Sequence, residues 1–250
     1  MTVAQSAASS ARPLYRPLYH QIKELMIKSL AALEWRPGET IPSEVELAAR
    51  FGVSQGTVRK AIDALAADNL VVRRQGKGTF VATHTEEKAS MFRFLRIRRN
   101  DGHEEYPGSR LVGVRRGKAS AELARALALR TGEPVITLRR LLEYGGEPAV
   151  LDEIVVPATL FKGLTRKKVE RYQGSMYGLF ETQFGVRIVR ARERLTAVAA
   201  EADRARLLRV APGTPLLAVD RVTYTFGDHP VEWRRGLCST RNHHYLNDLS

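Results

Sequence analysis

Apolar positions near the N-terminus recur at helical spacing. Leu18, Ile22, Leu25, Met26, Ile27, Leu30 and Leu33 fall close to i, i+4, i+7 and predict one amphipathic helix. Pro17 suits its first position, where a missing N–H costs nothing, and Trp35-Arg36-Pro37-Gly38 turns the chain. A second helix is expected after Ser43, with Glu46 three residues on completing a capping box and Val45, Leu47 and Ala48 forming its buried side. Phe51-Gly52-Val53 reads as a turn that uses the backbone freedom of Gly52. Ser54 then caps a third helix whose Val58, Ile62 and Leu65 face inward, and Asn69-Leu70 ends it. From there the period changes from helical to strand-like. Residues 71–74 and 78–81 read as two strands around Gln75-Gly76-Lys77, and residues 82–91 are polar and aperiodic.

The second half mixes both periods. Strands are expected at 92–98, 109–116, 134–144, 149–155, 186–197, 215–225 and 231–238, and helices at 120–127, 175–184 and 200–207. Gly145-Gly146 and Gly227-Asp228 look like hairpin turns. Hairpins imply antiparallel pairing, so the fold class is α+β, not a doubly wound sheet.

Composition narrows the function. Length (250 residues) allows one or two domains, and 44% hydrophobic with 27% charged residues is an ordinary globular balance. No apolar run is long enough to span a membrane, and the N-terminus lacks the apolar core of a secretory signal. A single cysteine, Cys238, excludes an internal disulfide and a thiolate-rich zinc site. A cytoplasmic protein is expected. The formal charge of +13 makes a polyanionic partner plausible. Residues 1–88 hold 12 Lys/Arg against 9 Asp/Glu, whereas residues 89–250 hold 28 against 18. Most of the basicity therefore lies in the second half, where it is compatible with a solvated surface, with phosphate contacts or with an anionic ligand.

Two short helices about a glycine-centred turn, followed by a basic hairpin, make a winged helix-turn-helix, which sets one helix in a DNA groove. The side chains able to reach base edges sit at the start of the third helix: Gln55, Gly56, Thr57 and Arg59, with Lys60 beside them. Arginine can fork onto guanine and glutamine onto adenine, while Gly56 lets the backbone come close. Arg73, Arg74 and Lys77, with the wing glycines Gly76 and Gly78, offer phosphate or minor-groove contacts. The Ser43 hydroxyl can hold a phosphate or only cap its helix, and Arg73 or Arg74 can equally pair with a neighbouring acid.

These residues carry a family resemblance. PLYHQIKELMIKSL followed by RPGETIPSEVELAARFGVSQGTVRKAIDALAADNLVVRRQGKGTFV resembles the winged-helix domain of the GntR family of bacterial transcription regulators, over about residues 13–82. The family often has Arg where this chain has Val45 and Gln55; Arg59, Gly76 and Gly78 match. Over about residues 92–248, LRRLLEYGGEPAVLDEIVVP, GSMYGLFETQFGVRIVRARERLTAVAA and PLLAVDRVTYTFGDHPVEWRRGLCSTRNHHY resemble the UTRA effector domain of the HutC-type branch. That likeness implies a chorismate-lyase-like antiparallel sheet around a small-molecule pocket. It also implies effector contacts at Arg140, Glu153, Ser175, Met176, Tyr177, Tyr224, Glu232 and Tyr245. Leu142 replaces the second arginine of the family's Arg-x-Arg, which argues for a carboxylate or less charged ligand rather than a sugar phosphate. His243 stands where the family often has Asp. Salt bridging, capping or core packing are alternative roles for these residues.

The sequence thus divides into a lead (1–12), a DNA-binding domain (13–82), a linker (83–91) and an effector-binding and dimerisation domain (92–250). His243-His244 point to opposite faces in a strand and cannot easily share an ion, and no catalytic or metal motif occurs. The expectation is therefore no metal, no cofactor and no enzyme activity. The expected protein is a homodimeric repressor, released from double-stranded palindromic DNA by a small anionic effector, with no membrane partner. A pocket enzyme and an effector-free architectural DNA binder are the alternatives.

Overall fold

The computed structural model describes residues 16–84 and 95–247. The lead 1–12, residues 85–91 of the linker and residues 92–94 of the first expected strand lie outside them. The chain forms two compact units that divide between Ala82 and Thr83.

In the first unit, α1 (Leu18–Ala31), α2 (Glu44–Phe51) and α3 (Gln55–Ala67) precede the hairpin β1 (Val71–Arg74) and β2 (Gly78–Val81). The buried side of α1 is narrower than its apolar pattern: Ile22, Met26 and Leu30 are inside, whereas Leu18 and Leu25 are exposed. Leu33 falls after the helix, in a left-handed conformation, and is exposed too. The Ser43 capping box forms in full, and Gly52 ends α2 with φ +63°, a conformation that suits glycine. Ser54 caps α3 by accepting from the Thr57 N–H. Val58, Ala61, Ile62 and Leu65 bury one side of α3, which packs against α1, α2 and β1. Val45 corrects the expected buried side of α2: it is 64% exposed, because Leu47 alone fills that contact. The wing is reinforced by a third segment, since Thr40 bridges Phe80 and the Ile41 N–H donates to the Thr79 carbonyl.

Replacing Ser43 with alanine removes the hydroxyl half of the box and leaves the backbone N–H of residue 43 on Glu46. A loss of about 1 kcal/mol is expected, read as a fall of about 4–8 °C in the unfolding midpoint of this unit by calorimetry.

The second unit is built on one antiparallel sheet. Its strands are β4 (Gly108–Lys118), β5 (Pro134–Tyr144), β6 (Glu147–Pro157), β7 (Arg190–Ala199), β8 (Pro215–Tyr224) and β9 (Pro230–Cys238), in the order β4-β5-β6-β9-β8-β7. A separate pair joins β3 (Ile97–Arg99) to β10 (His243–Tyr245). The helices are α4 (Ala121–Leu127), α5 (Arg166–Arg171), α6 (Met176–Phe184) and α7 (Ala202–Leu208). One sheet face carries Ile136, Leu138 and Ile154 and is covered by Phe161, Leu179 and Phe180 around α6. Further along the same face, Leu142, Val150 and Cys238 meet Ile97 and Tyr245 of the β3–β10 pair. The opposite face packs Leu141, Leu151 and Leu237 against α7, and Val135 and Val155 against α4.

The strand expected at 186–197 begins four residues late, at Arg190. Val186 and Ile188 alternate as a strand would, but they bury into the core beside α6 without pairing. Residues 166–171 and 243–245, expected as neither, form α5 and β10.

Candidate functional site

In the first unit the start of α3 and the wing form one exposed basic surface. Gln55, Gly56, Arg59, Lys60, Arg73, Arg74, Gly76, Lys77 and Gly78 are all exposed, and Thr57 is half-buried with its hydroxyl 2.9 Å from that of Ser54. A residue passed over in the sequence organises them. Glu44, at the first position of α2, accepts from Arg59 Nε at 2.9 Å, from Arg73 Nη1 at 3.1 Å and from Gln55 Nε2 at 3.4 Å. The hydrogen bond from Arg59 holds the Glu44 carboxyl below its usual range despite partial burial, and the same contact raises the Arg59 guanidinium. Arg73 also reaches Asp63 at 2.8 Å, and Arg74 lies 4.6 Å over the Phe80 ring. Lys60 and Lys77 have no ion pair among the described residues. Arg59 is thus aimed by a carboxylate yet keeps 58% of its side chain exposed. Ser43, one residue before Glu44, spends its hydroxyl on the capping box.

In the second unit a cavity of about 140 Å³ opens on the sheet face between α6 and the β3–β10 pair. Strand register builds its floor. Arg140, Asp152, Gly236 and Val219 form one rung across β5, β6, β9 and β8, and all four line the cavity. The next rung brings Ile154, Arg234, Arg221 and Glu193. Arg140 donates from Nε and Nη2 to the Asp152 Oδ2, and Arg234 Nη1 reaches the same oxygen at 3.3 Å. Arg234 forks onto Glu232, which also accepts from the Tyr177 hydroxyl. Arg221 bonds Glu193 and Tyr177, and the Tyr245 hydroxyl donates to Glu193.

Burial by itself would raise the Asp152 carboxyl, but Arg234 and Arg140 outweigh it and hold the group below the carboxylate range. Burial lowers Arg140; burial also opposes charge on Arg234, but Glu232, Tyr177 and Asp152 together outweigh it and raise that guanidinium. Burial also pushes the Cys238 thiol up to about 12, so this lone cysteine in the cavity wall is a thiol, not a nucleophilic thiolate.

An alanine at Gly236 would set its Cβ 3.0 Å from Asp152 Oδ1 and 3.5 Å from Val150 Cγ1. That carboxylate cannot swing away without leaving two arginines. Gly236→Ala should therefore lower the unfolding midpoint, by about 1–3 kcal/mol of stability in denaturant titration.

Both units match known protein families. Residues 18–81 match the bacterial regulatory proteins of the gntR family, and residues 102–244 match the UTRA domain. The HTH-type transcriptional repressor NagR of Bacillus subtilis is 30% identical over 240 residues, spanning 94% of this chain and 96% of the relative. The histidine utilization repressor of Pseudomonas putida is 30% identical over 223 residues, spanning 86% and 85%. A crystal structure of the ligand-binding domain of a GntR-family transcriptional regulator from Bordetella bronchiseptica is 48% identical, covers 63% of this chain and 98% of its own, and superposes with a TM-score of 0.60. The chain belongs to the GntR family. Its second unit is a UTRA domain, and the relatives are HutC-type transcriptional repressors.

Within this GntR-family chain the effector residues expected from resemblance separate into two groups. Arg140, Ser175, Met176, Tyr177 and Tyr245 line the cavity, and Glu232 lies fully buried just behind it. The Ser175 hydroxyl is already committed: it accepts from the Gly178 N–H at the head of α6 and donates to the His84 carbonyl. His84, in the stretch expected to be linker, is buried, with its N–H on Glu181 and its ring on the Ile188 carbonyl.

Glu153 and Tyr224 need correction. Glu153 lies on the other sheet face with Arg139, Arg235, Asp220 and Arg194, and Asp152 takes the cavity position. Tyr224 does not line the cavity; it lies under the Arg190 guanidinium at 3.9 Å, at the last position of β8, beside a register shift. The sequence reading missed Arg96, Asp152, Arg221 and Arg234. The signal for three of them was a run of charged dipeptides, Arg139-Arg140, Asp152-Glu153, Asp220-Arg221 and Arg234-Arg235, each of which gives one member to each sheet face.

Proposed function

We propose that this protein is an effector-released repressor that acts in the cytoplasm as a homodimer on a palindromic operator. Residues 13–82 would read DNA, 83–91 would join the units, and 92–250 would bind effector and dimerise. The observation that carries the reading is the Glu44-held Arg59 beside Gln55, exposed at the start of a groove-sized helix and flanked by a basic wing. Arg59 would fork onto guanine and Gln55 onto adenine, while Lys77 would neutralise phosphate. Two-fold pairing doubles the contacts that one short helix can make.

The cavity in the UTRA domain supports an effector site, with a small carboxylate as its proposed occupant. The occupant would act by binding one arrangement of the two readers better than another. Binding without turnover is proposed, in keeping with the named regulators to which the chain is related.

The test is an electrophoretic mobility shift with the DNA upstream of the protein's own gene. Retardation at low salt that survives excess unrelated duplex is expected, and no retardation would contradict the proposal.

A further inference from the structure

The cavity floor is not a simple anion trap. Three arginines, Arg140, Arg221 and Arg234, are matched by three acids, Asp152, Glu193 and Glu232, through the bonds described above. Among the described residues the floor is therefore formally neutral, and a buried dianion added to it would bring charge that these groups do not compensate. Two floor atoms have no hydrogen-bond partner among the described residues. The Arg140 fork places Nε and Nη2 on one oxygen of Asp152, which leaves Arg140 Nη1 as a donor and Asp152 Oδ1 as an acceptor. They belong to directly paired residues of β5 and β6.

A fourth guanidinium lines the cavity from the segment before β3. Arg96 is half-buried and makes no ion pair among the described residues. Leu95, Ile97, Leu142, Val150 and Val219 supply apolar wall. The volume of about 140 Å³ is close to that of cavities that hold benzene.

We propose that the effector is a small monocarboxylate with an uncharged donor–acceptor end, such as a primary amide or lactam. Its carboxylate pairs with Arg96. Its other end donates to Asp152 Oδ1 and accepts from Arg140 Nη1, and its middle is apolar. Phosphate monoesters and dicarboxylates are disfavoured because, among the described residues, Arg96 alone offers them an unmatched positive charge. This rests on the cavity being the effector site.

Thermal unfolding of the full chain tests it with named probes: succinamate and pyroglutamate, each a monocarboxylate with an amide, against succinate, neutral succinamide and glycerol 3-phosphate. The expected result is a rise in midpoint with at least one amide acid, little or none with the other three, and binding weakened about tenfold or more in Arg96→Ala. Arg96 has no partner to strand, so this variant should fold. No rise with either amide acid, a larger rise with succinate, succinamide or glycerol 3-phosphate, or a rise unchanged in Arg96→Ala would overturn the proposal. A mobility shift on the same preparation separates the two levels. Retained DNA binding with the wrong probe preference removes only the effector class, whereas absent DNA binding removes the regulatory reading whatever the probes do.

Discussion

Arg59→Ala is expected to reduce discrimination between operator and unrelated duplex by about 10- to 100-fold while leaving the protein folded. A bidentate arginine–guanine contact has that worth, and Arg59 is solvent-exposed, so its removal leaves no cavity. Glu44 then keeps Arg73 and Gln55 as partners, so the surrounding surface holds its shape. Lys77→Ala should behave differently. It should weaken binding to all sequences alike and lower the salt-dependence slope by about one, as expected for one lost phosphate contact. Titrations of operator and non-operator duplexes at several salt concentrations separate the two. An Arg59→Ala protein with unchanged discrimination would show that α3 does not read bases.

The second large effect is expected at Asp152. Asp152→Ala would leave Arg140 and Arg234 buried without their shared carboxylate oxygen. Breaking a buried ion pair by removing one partner costs about 3–5 kcal/mol, because the surviving charge is not resolvated. The UTRA domain should melt roughly 6–20 °C lower. Its neighbour is the control. Glu153→Ala removes a carboxylate that faces Arg139 across 3.6 Å on the other, more open face of the sheet, and should change stability by less than about 1 kcal/mol. Equal effects at 152 and 153 would contradict the assignment of faces. The same pair predicts a pH dependence. The Asp152 carboxyl is depressed in the folded state, so its contribution is complete above the ordinary carboxylate pKa of the unfolded chain. It is lost only as pH falls through the lower folded value, and acid unfolding of Asp152→Ala should lack that part of the pH dependence.

The first unit was largely legible in the sequence because local chemistry specifies it. Ser43 with Glu46, Gly52, and Ser54 with Thr57 act within four residues of one another, and each does in the structure what its spacing predicts. Errors arose where tertiary burial selects among equivalent local patterns. Leu18, Leu25 and Val45 are apolar at helical spacing yet exposed, because neighbouring side chains already fill the contact. Val186 and Ile188 alternate like a strand but spend that alternation on the core beside α6.

The cavity was less legible because its members come together through register. Asp152 and Glu153 are indistinguishable by composition; only the pairing of Arg140 with Asp152 and of Asp152 with Gly236 decides which carboxylate faces inward. A shift of one residue would have exchanged the two faces of the sheet. Glu44 was missed for a related reason: an acid in the first turn of a helix is ordinary, and its role appears only where α2, α3 and β1 converge.

Selection of bound duplexes from a randomised pool measures the central claim most directly. The account predicts that the wild-type protein enriches an inverted repeat whose half-sites contain guanine and adenine, and that Arg59→Ala enriches half-sites that have lost the guanine preference. Recovery of an unordered pool by the wild-type protein, or of the same repeat by both proteins, would contradict it.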